Sequence, residues 1–207
     1  MENTISKKEE YDLKKRQEES SKKRANSFKA ARTIALVLGG VALIGTLVFF
    51  FMTNQKELGQ DLSREMAYEG DTHVAEGTEV AYDSNPPTSG NHWPVPLSDG
   101  VYKTEKPDEA IVHSLEHGRV WISYKPSLSA SIVEQLEKLG TGQALIVTPR
   151  SENETDMALA AWTRLDTFNL SPDGILDAQR VKDFIKRYKN KGPEFIPGHG
   201  GGKTYEE

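Results

Sequence analysis

The apolar positions along this chain fall into three regimes. From Thr33 to Thr53 they are continuous: TIALVLGGVALIGTLVFFFMT, twenty-one residues without one charge. A helix needs about 20 such residues to cross the hydrocarbon layer, so a transmembrane helix is predicted over 33–53. The run exceeds the roughly 7–15 residues of a signal-peptide core, and no A-x-A-like cleavage site follows it. A core helix rarely stays apolar on every side for so many turns. From Gly70 to Gly100 the pattern breaks up. One strand-like piece, Glu79 to Tyr82, precedes SNPPTSGNHWPVP, whose four prolines exclude helix and central strand. A loop of this length inside a domain is often functional.

Periodicity returns at Pro107. Asp108 to His117 suits a short helix, acidic in its first turn and ended by Gly118. RVWISY alternates as a strand does, and Ser127 to Leu139 sets Leu128, Ile132, Val133, Leu136 and Leu139 on one helical face, with Gly140 closing it. ALIVTP and MALAAW read as short buried strands. Asp177 to Lys189 is the last predicted helix, with Val181, Phe184, Ile185 and Tyr188 inward, and GPEFIPGHGGGKTYEE is irregular. QKELGQDLSREM reads as a helical stalk behind the apolar run. The expected organisation is a basic tail over 1–32, disordered or a frayed helix, a membrane helix over 33–53, a stalk over 54–69, a domain over 70–196 and a flexible tail over 197–207. The predicted fold class is α+β: after one N-terminal transmembrane helix comes a small extracytoplasmic domain, a mixed sheet with two to three covering helices.

Charge sets the expected orientation. Residues 1–33 hold ten Lys/Arg against six Asp/Glu, whereas residues 54–207 hold sixteen against twenty-five. Basic residues beside a membrane helix stay on the cytoplasmic side. A single-pass protein of the cell membrane is therefore expected, N-terminus cytoplasmic and C-terminal domain outside. Its basic tail can also meet anionic lipid at the bilayer surface. An acidic domain lacks the basic face that nucleic-acid binding needs. The chain has no cysteine, which excludes disulfides, thiolate metal sites and a cysteine nucleophile. There is also no G-x-S-x-G, no G-x-G-x-x-G and no P-loop. Asn153-Glu-Thr155 fits a glycosylation acceptor, relevant only in a eukaryotic secretory path.

The candidate chemistry lies in the histidines. HSLEH, His113 to His117, fits H-x-x-E-H, the zinc-and-base signature of one class of metallopeptidases. Residues four apart project from one helical face, the spacing two imidazoles need to share an ion. In a hydrolase Glu116 would be the general base and Glu194 a third ligand. Against this, the helix stops at Gly118, Glu194 follows a Gly-Pro turn, and the domain is small for that enzyme class. A histidine at a helix end also interacts with the dipole and free carbonyls without any further role. Yet His73 and His92 lie in the irregular segments ahead, and loops commonly hold functional groups. Convergence of His73, His92, His113 and His117 would make a thiolate-free site suited to Zn or Cu.

The blocks YDSNPPTSGNHW, GVY, VHSLEHGRVWISY, AAW and GPE together resemble the bacterial family known as domain of unknown function 3105. The resemblance covers Asp71 to Glu194 and departs from the family pattern at Asn91, where a proline is expected. It implies a membrane-anchored extracytoplasmic domain with no assigned reaction or ligand, and it places the loop histidine and the helix pair in one motif set. The function expected is metal binding, trafficking or sensing rather than turnover. The alternatives are a non-catalytic envelope module meeting a protein partner through the proline loop and Trp93, its histidines structural, and a metal-dependent hydrolase with Glu116 as base.

Overall fold

The computed structural model describes residues 7–53, 57–195 and 202–205, and the chain divides into two units, Met1–Glu57 and Leu58–Glu207. In the first, helix α1 (Lys7–Thr53) carries the apolar run. Arg32–Phe50 is long and apolar enough to cross a membrane, by length and composition, a property it shares with a signal sequence. Ile34, Leu38, Val41 and Ile44 are exposed, so this stretch of the helix presents apolar side chains on its surface. The described part of the basic tract, expected to be disordered or a frayed helix, continues the same helix.

The second unit is an α+β domain built on one six-stranded sheet. Its strands are β1 (Arg64–Glu65), β2 (Gly100–Val101), β3 (Val120–Tyr124), β4 (Leu145–Pro149), β5 (Met157–Ala161) and β6 (Arg164–Phe168). Its helices are α2 (Asp108–Glu116), α3 (Ala130–Gly140) and α4 (Ala178–Tyr188). The sheet order is β1-β6-β5-β3-β4-β2. The β2·β4 and β3·β4 pairs are parallel, and the β3·β5, β5·β6 and β1·β6 pairs are antiparallel. The sheet is therefore mixed, as expected.

Alternation along β3 decides which face receives which helix. Val120, Ile122 and Tyr124 face one core with Ile132 and Leu136 of α3 and Val181 and Phe184 of α4. Trp121 faces the other, with Ala110, Ile111 and Leu115 of α2 and Leu97 of the loop. Side chains on a strand point alternately to opposite faces, so the second face is the one that α2 and the proline loop cover. Buried Arg150 holds the start of α2, its Nη2 2.8 Å from Asp108 Oδ2 and its Nη1 hydrogen-bonded to Asn85.

Four local expectations are corrected. Residues 58–69 are no helical stalk. They belong to the second unit, because Arg64 and Glu65 pair with the edge of β6 and Tyr188 and Arg187 donate to Asp61 Oδ2 and the Gly59 carbonyl. Glu79–Tyr82 forms no strand: the Val80 amide donates to Glu109 Oε1 instead of to a ladder partner. RLDTF is a strand that sequence reasoning missed, its apolar pattern interrupted by Asp166. That carboxylate is buried and held by Arg180 of α4, with Nε 2.9 Å from Oδ2. Asn153 is buried and bonded to Ser123, no accessible glycan acceptor. Most of the predicted 197–207 tail lies outside the described residues. Within it, the Lys203 amide donates to the Pro96 carbonyl and its carbonyl accepts from Ser98.

Candidate metal centre

The proline loop is packed, not loose: Pro86, Pro87, Thr88, Ser89 and Gly90 are buried. Its backbone is tied at several points. Gly90 N donates to the Gly70 carbonyl, His92 N to the Thr72 carbonyl, and Val74 N back to the His92 carbonyl. These bonds lay 70–74 parallel to 90–92 and set His73 beside His92, their ring centroids 5.0 Å apart. Gly90 has φ +125°, and a Cβ there would stand 2.8 Å from the Tyr82 ring. Only glycine suits that position. On the helix side, Ser114 Oγ donates to the Leu97 carbonyl, and His113 faces the loop.

Backbone carbonyls orient the two buried imidazoles. His92 Nδ1 donates to the Gly90 carbonyl at 2.8 Å, and His113 Nδ1 to the Trp93 carbonyl at 2.7 Å. In a neutral imidazole one nitrogen donates and the other offers a lone pair. Both Nε2 atoms therefore carry lone pairs, and they point into a common space. His92 Nε2 is fully buried with no hydrogen-bond partner, while Glu116 Oε2 lies 3.2 Å away. Two acceptors at that distance need a proton or a cation between them. His113 Nε2 stands 3.2 Å from His117 Nε2. Two atoms held about 2.0 Å from one ion at tetrahedral angles are about 3.3 Å apart, close to the separation of His92 Nε2 and Glu116 Oε2.

His73, His92, His113 and Glu116 each offer one ligand atom, and all four atoms lie within 4.8 Å of one another. His73 is exposed and the other three are buried. His117 does not share that set. It groups instead with Glu116 and Glu194, its Nε2 3.7 Å from Glu194 Oε2. Three of the four histidines expected to converge thus do so, the fourth stands next to them, and Glu116 belongs to both groups. Sequence reasoning missed the backbone carbonyls of Gly90 and Trp93, for which no side chain supplies a signal. It also missed Asp71, whose negative charge reaches both His92 and Glu116.

Burial governs the protonation states. It lowers His92, and it lowers His113 to about 4, helped by the neighbouring histidines and opposed by the bond to Trp93. Burial, with the charges of Glu194 and Asp71, pushes Glu116 up to about 7. The imidazoles of His92 and His113 are thus neutral at physiological pH, the form that ligates metals. A separate cavity of about 460 Å³, lined by Glu79, Tyr82, Asn85, Asp108 and Arg150, includes none of the histidines.

The separated sequence blocks meet here. Trp162 of AAW stands edge-on to His92 at 6.5 Å, and the Thr163 amide beside it donates to the Thr88 carbonyl of PPTSG. The segment with GPE is stitched to the end of α2, Asn190 N to the Gly118 carbonyl and Glu194 N to the Glu116 carbonyl. The sequence profile of the family described as Protein of unknown function (DUF3105) matches residues 73–199. The chain belongs to this family. The DUF3105 match spans the loop, α2 and the whole of the sheet from β2 to β6. No curated protein and no solved structure matches the chain.

Proposed function

We propose that this DUF3105 domain binds a transition metal ion, Zn(II) or Cu(II), through His73, His92, His113 and Glu116. The observation that carries the reading is the buried, unpartnered Nε2 of His92, 3.2 Å from the Glu116 carboxylate. A buried polar atom without a partner costs roughly 1–3 kcal/mol, and a cation between nitrogen and carboxylate removes that cost. The Gly90 and Trp93 carbonyls supply the outer contacts that orient metal-bound imidazoles. An N/O set without sulfur suits Zn(II) and Cu(II). The role is binding, trafficking or sensing, because Glu116 lies among the ligand atoms and is not available as a separate base. Trp93 is half-buried against Tyr205 and donates to the Thr78 carbonyl, which weighs against its being a free anchor for a protein partner.

The domain is placed outside the cell membrane of a bacterium, on a single-pass anchor with its basic tail in the cytoplasm. The uncharged run and the ten Lys/Arg of residues 1–33 support that placement. Metal binding is tested on the full chain in detergent, stripped with chelator and titrated with Zn(II) and Cu(II). Tight binding and a raised melting temperature are expected, because a ligand selective for the folded state stabilises it. His73→Ala, at an exposed position, should weaken binding about tenfold or more without unfolding the chain. Absence of binding by the wild-type chain would refute the assignment.

A further inference from the structure

Glu116 belongs to two groups of potential ligands, not one. The first is the histidine set described above. The second is Glu116, His117 and Glu194, whose ligand atoms also lie within 4.8 Å of one another. We infer that the centre is dinuclear, with a second divalent transition ion held by His117 and Glu194 and the Glu116 carboxylate bridging the two ions. This inference rests on the metal-binding reading of the first group.

The chain has built the second position with some care for geometry. Glu194 is far from α2 in sequence, and it arrives because the segment carrying it is clamped to the helix end. The Asn190 amide donates to the Gly118 carbonyl at 2.7 Å and the Glu194 amide to the Glu116 carbonyl at 3.1 Å. The clamp needs two glycines. A Cβ at Gly192 would stand 2.0 Å from the Glu116 carbonyl oxygen, and Gly118 has φ +80° with Asn190 Cα 3.0 Å from where its Cβ would be. Backbone contacts this close leave Glu194 little choice of place. His117, the residue that caps α2, has its carbonyl gripped by buried Arg119, Nη1 to O 2.8 Å. Its ring then meets His113 on one side and Glu194 on the other. A carboxylate has two oxygens and can serve two cations. Two ionised carboxylates gathered beside a histidine repel one another unless a positive charge lies among them.

The two positions differ in access. The side chains of His92 and Glu116 are 0% and 4% exposed, whereas that of Glu194 is 62% exposed. The first ion would be enclosed. The second would have three protein ligands and a solvent-facing side, which leaves a coordination position for water or an exogenous ligand. The chemistry assigned is an exchangeable divalent ion beside a tightly held one. Two ions sharing a carboxylate stand about 3.5–4 Å apart.

The test is metal stoichiometry, by equilibrium dialysis with elemental analysis, on the full chain in detergent with Zn(II) or Co(II). Two equivalents per chain are expected. Glu194→Gln, at a solvent-facing position, and His117→Ala should each reduce this to one, the remaining ion being as tight as before. Glu116→Gln should weaken both ions. With Cu(II), the doubly loaded wild type should lose electron-paramagnetic-resonance intensity through coupling, and Glu194→Gln should restore the signal of an isolated ion. One equivalent in the wild type, unaffected by Glu194→Gln, overturns the dinuclear centre but leaves the first site standing. One equivalent weakened by His117→Ala also overturns it, by placing His117 around the first ion. No equivalent at all overturns both readings. Thermal melting of each variant shows whether the chain remains folded.

Discussion

His92 and Glu116 show how little of a site is visible in residue types alone. Each has a plain structural role available, and only their opposition at 3.2 Å, with the Gly90 carbonyl fixing the tautomer, sets a lone pair against a carboxylate. Their protonation makes a direct prediction for the metal-free chain. Glu116 rises from 4.5 to about 7 on folding. Its contribution to stability is therefore full below pH 4.5 and lost as pH rises through about 7. Glutamine does not titrate. In thermal melts with chelator present, Glu116→Gln should gain stability relative to wild type as pH is raised across that window. His113 works in the opposite sense: lowered from 6.5 to about 4, its contribution is full above 6.5 and fades as pH falls through about 4. A wild-type-to-variant gap that stays constant with pH would show that Glu116 is not held protonated by burial. Metal should reverse the ranking, because it binds the carboxylate that glutamine lacks.

Among the elements, the last turn of α2 and the segment at 190–194 form one unit, and Gly192 is its weak point. A methyl group there has a backbone oxygen 2.0 Å away, and backbone does not yield as a flexible side chain does. Gly192→Ala should cost about 1–3 kcal/mol, the range for overpacking a tight contact, and should carry Glu194 away from His117. Gly100→Ala is the matched control, since its Cβ would meet only the Tyr102 ring at 3.6 Å. Urea unfolding of both variants decides it, and equal midpoints would mean that the clamp is looser than the contacts indicate. Gly140 is a related case. It ends α3 as expected, and a Cβ there would lie 2.0 Å from Val147 Cγ2 of β4. Its smallness serves helix-to-sheet packing.

For the whole molecule, the expected topology is tested by reporters. A periplasmic-type phosphatase fused after Glu207 should be active and one fused before Met1 inactive, with the chain resisting carbonate extraction from membranes. Activity of the N-terminal fusion alone would reverse the orientation. Some of this protein could be read directly from its residues. The apolar run of 33–53, the strands of RVWISY, ALIVTP and MALAAW, and the helices that became α2, α3 and α4 all follow from local periodicity. The histidines were legible as candidates from the H-x-x-E-H spacing and from their recurrence in the irregular segments ahead of it. What could not be read is whatever depends on pairing at long range. Strands β1, β2 and β6 are short or carry charges, and they exist because a neighbouring edge or Arg180 satisfies them. The division of the histidines into two groups around Glu116 depends on the parallel lie of 70–74 against 90–92 and on the docking of Gly192. Hydrophobic period is a property of a segment and survives in the sequence. Coordination geometry is a property of distances between segments, and only the folded backbone sets those.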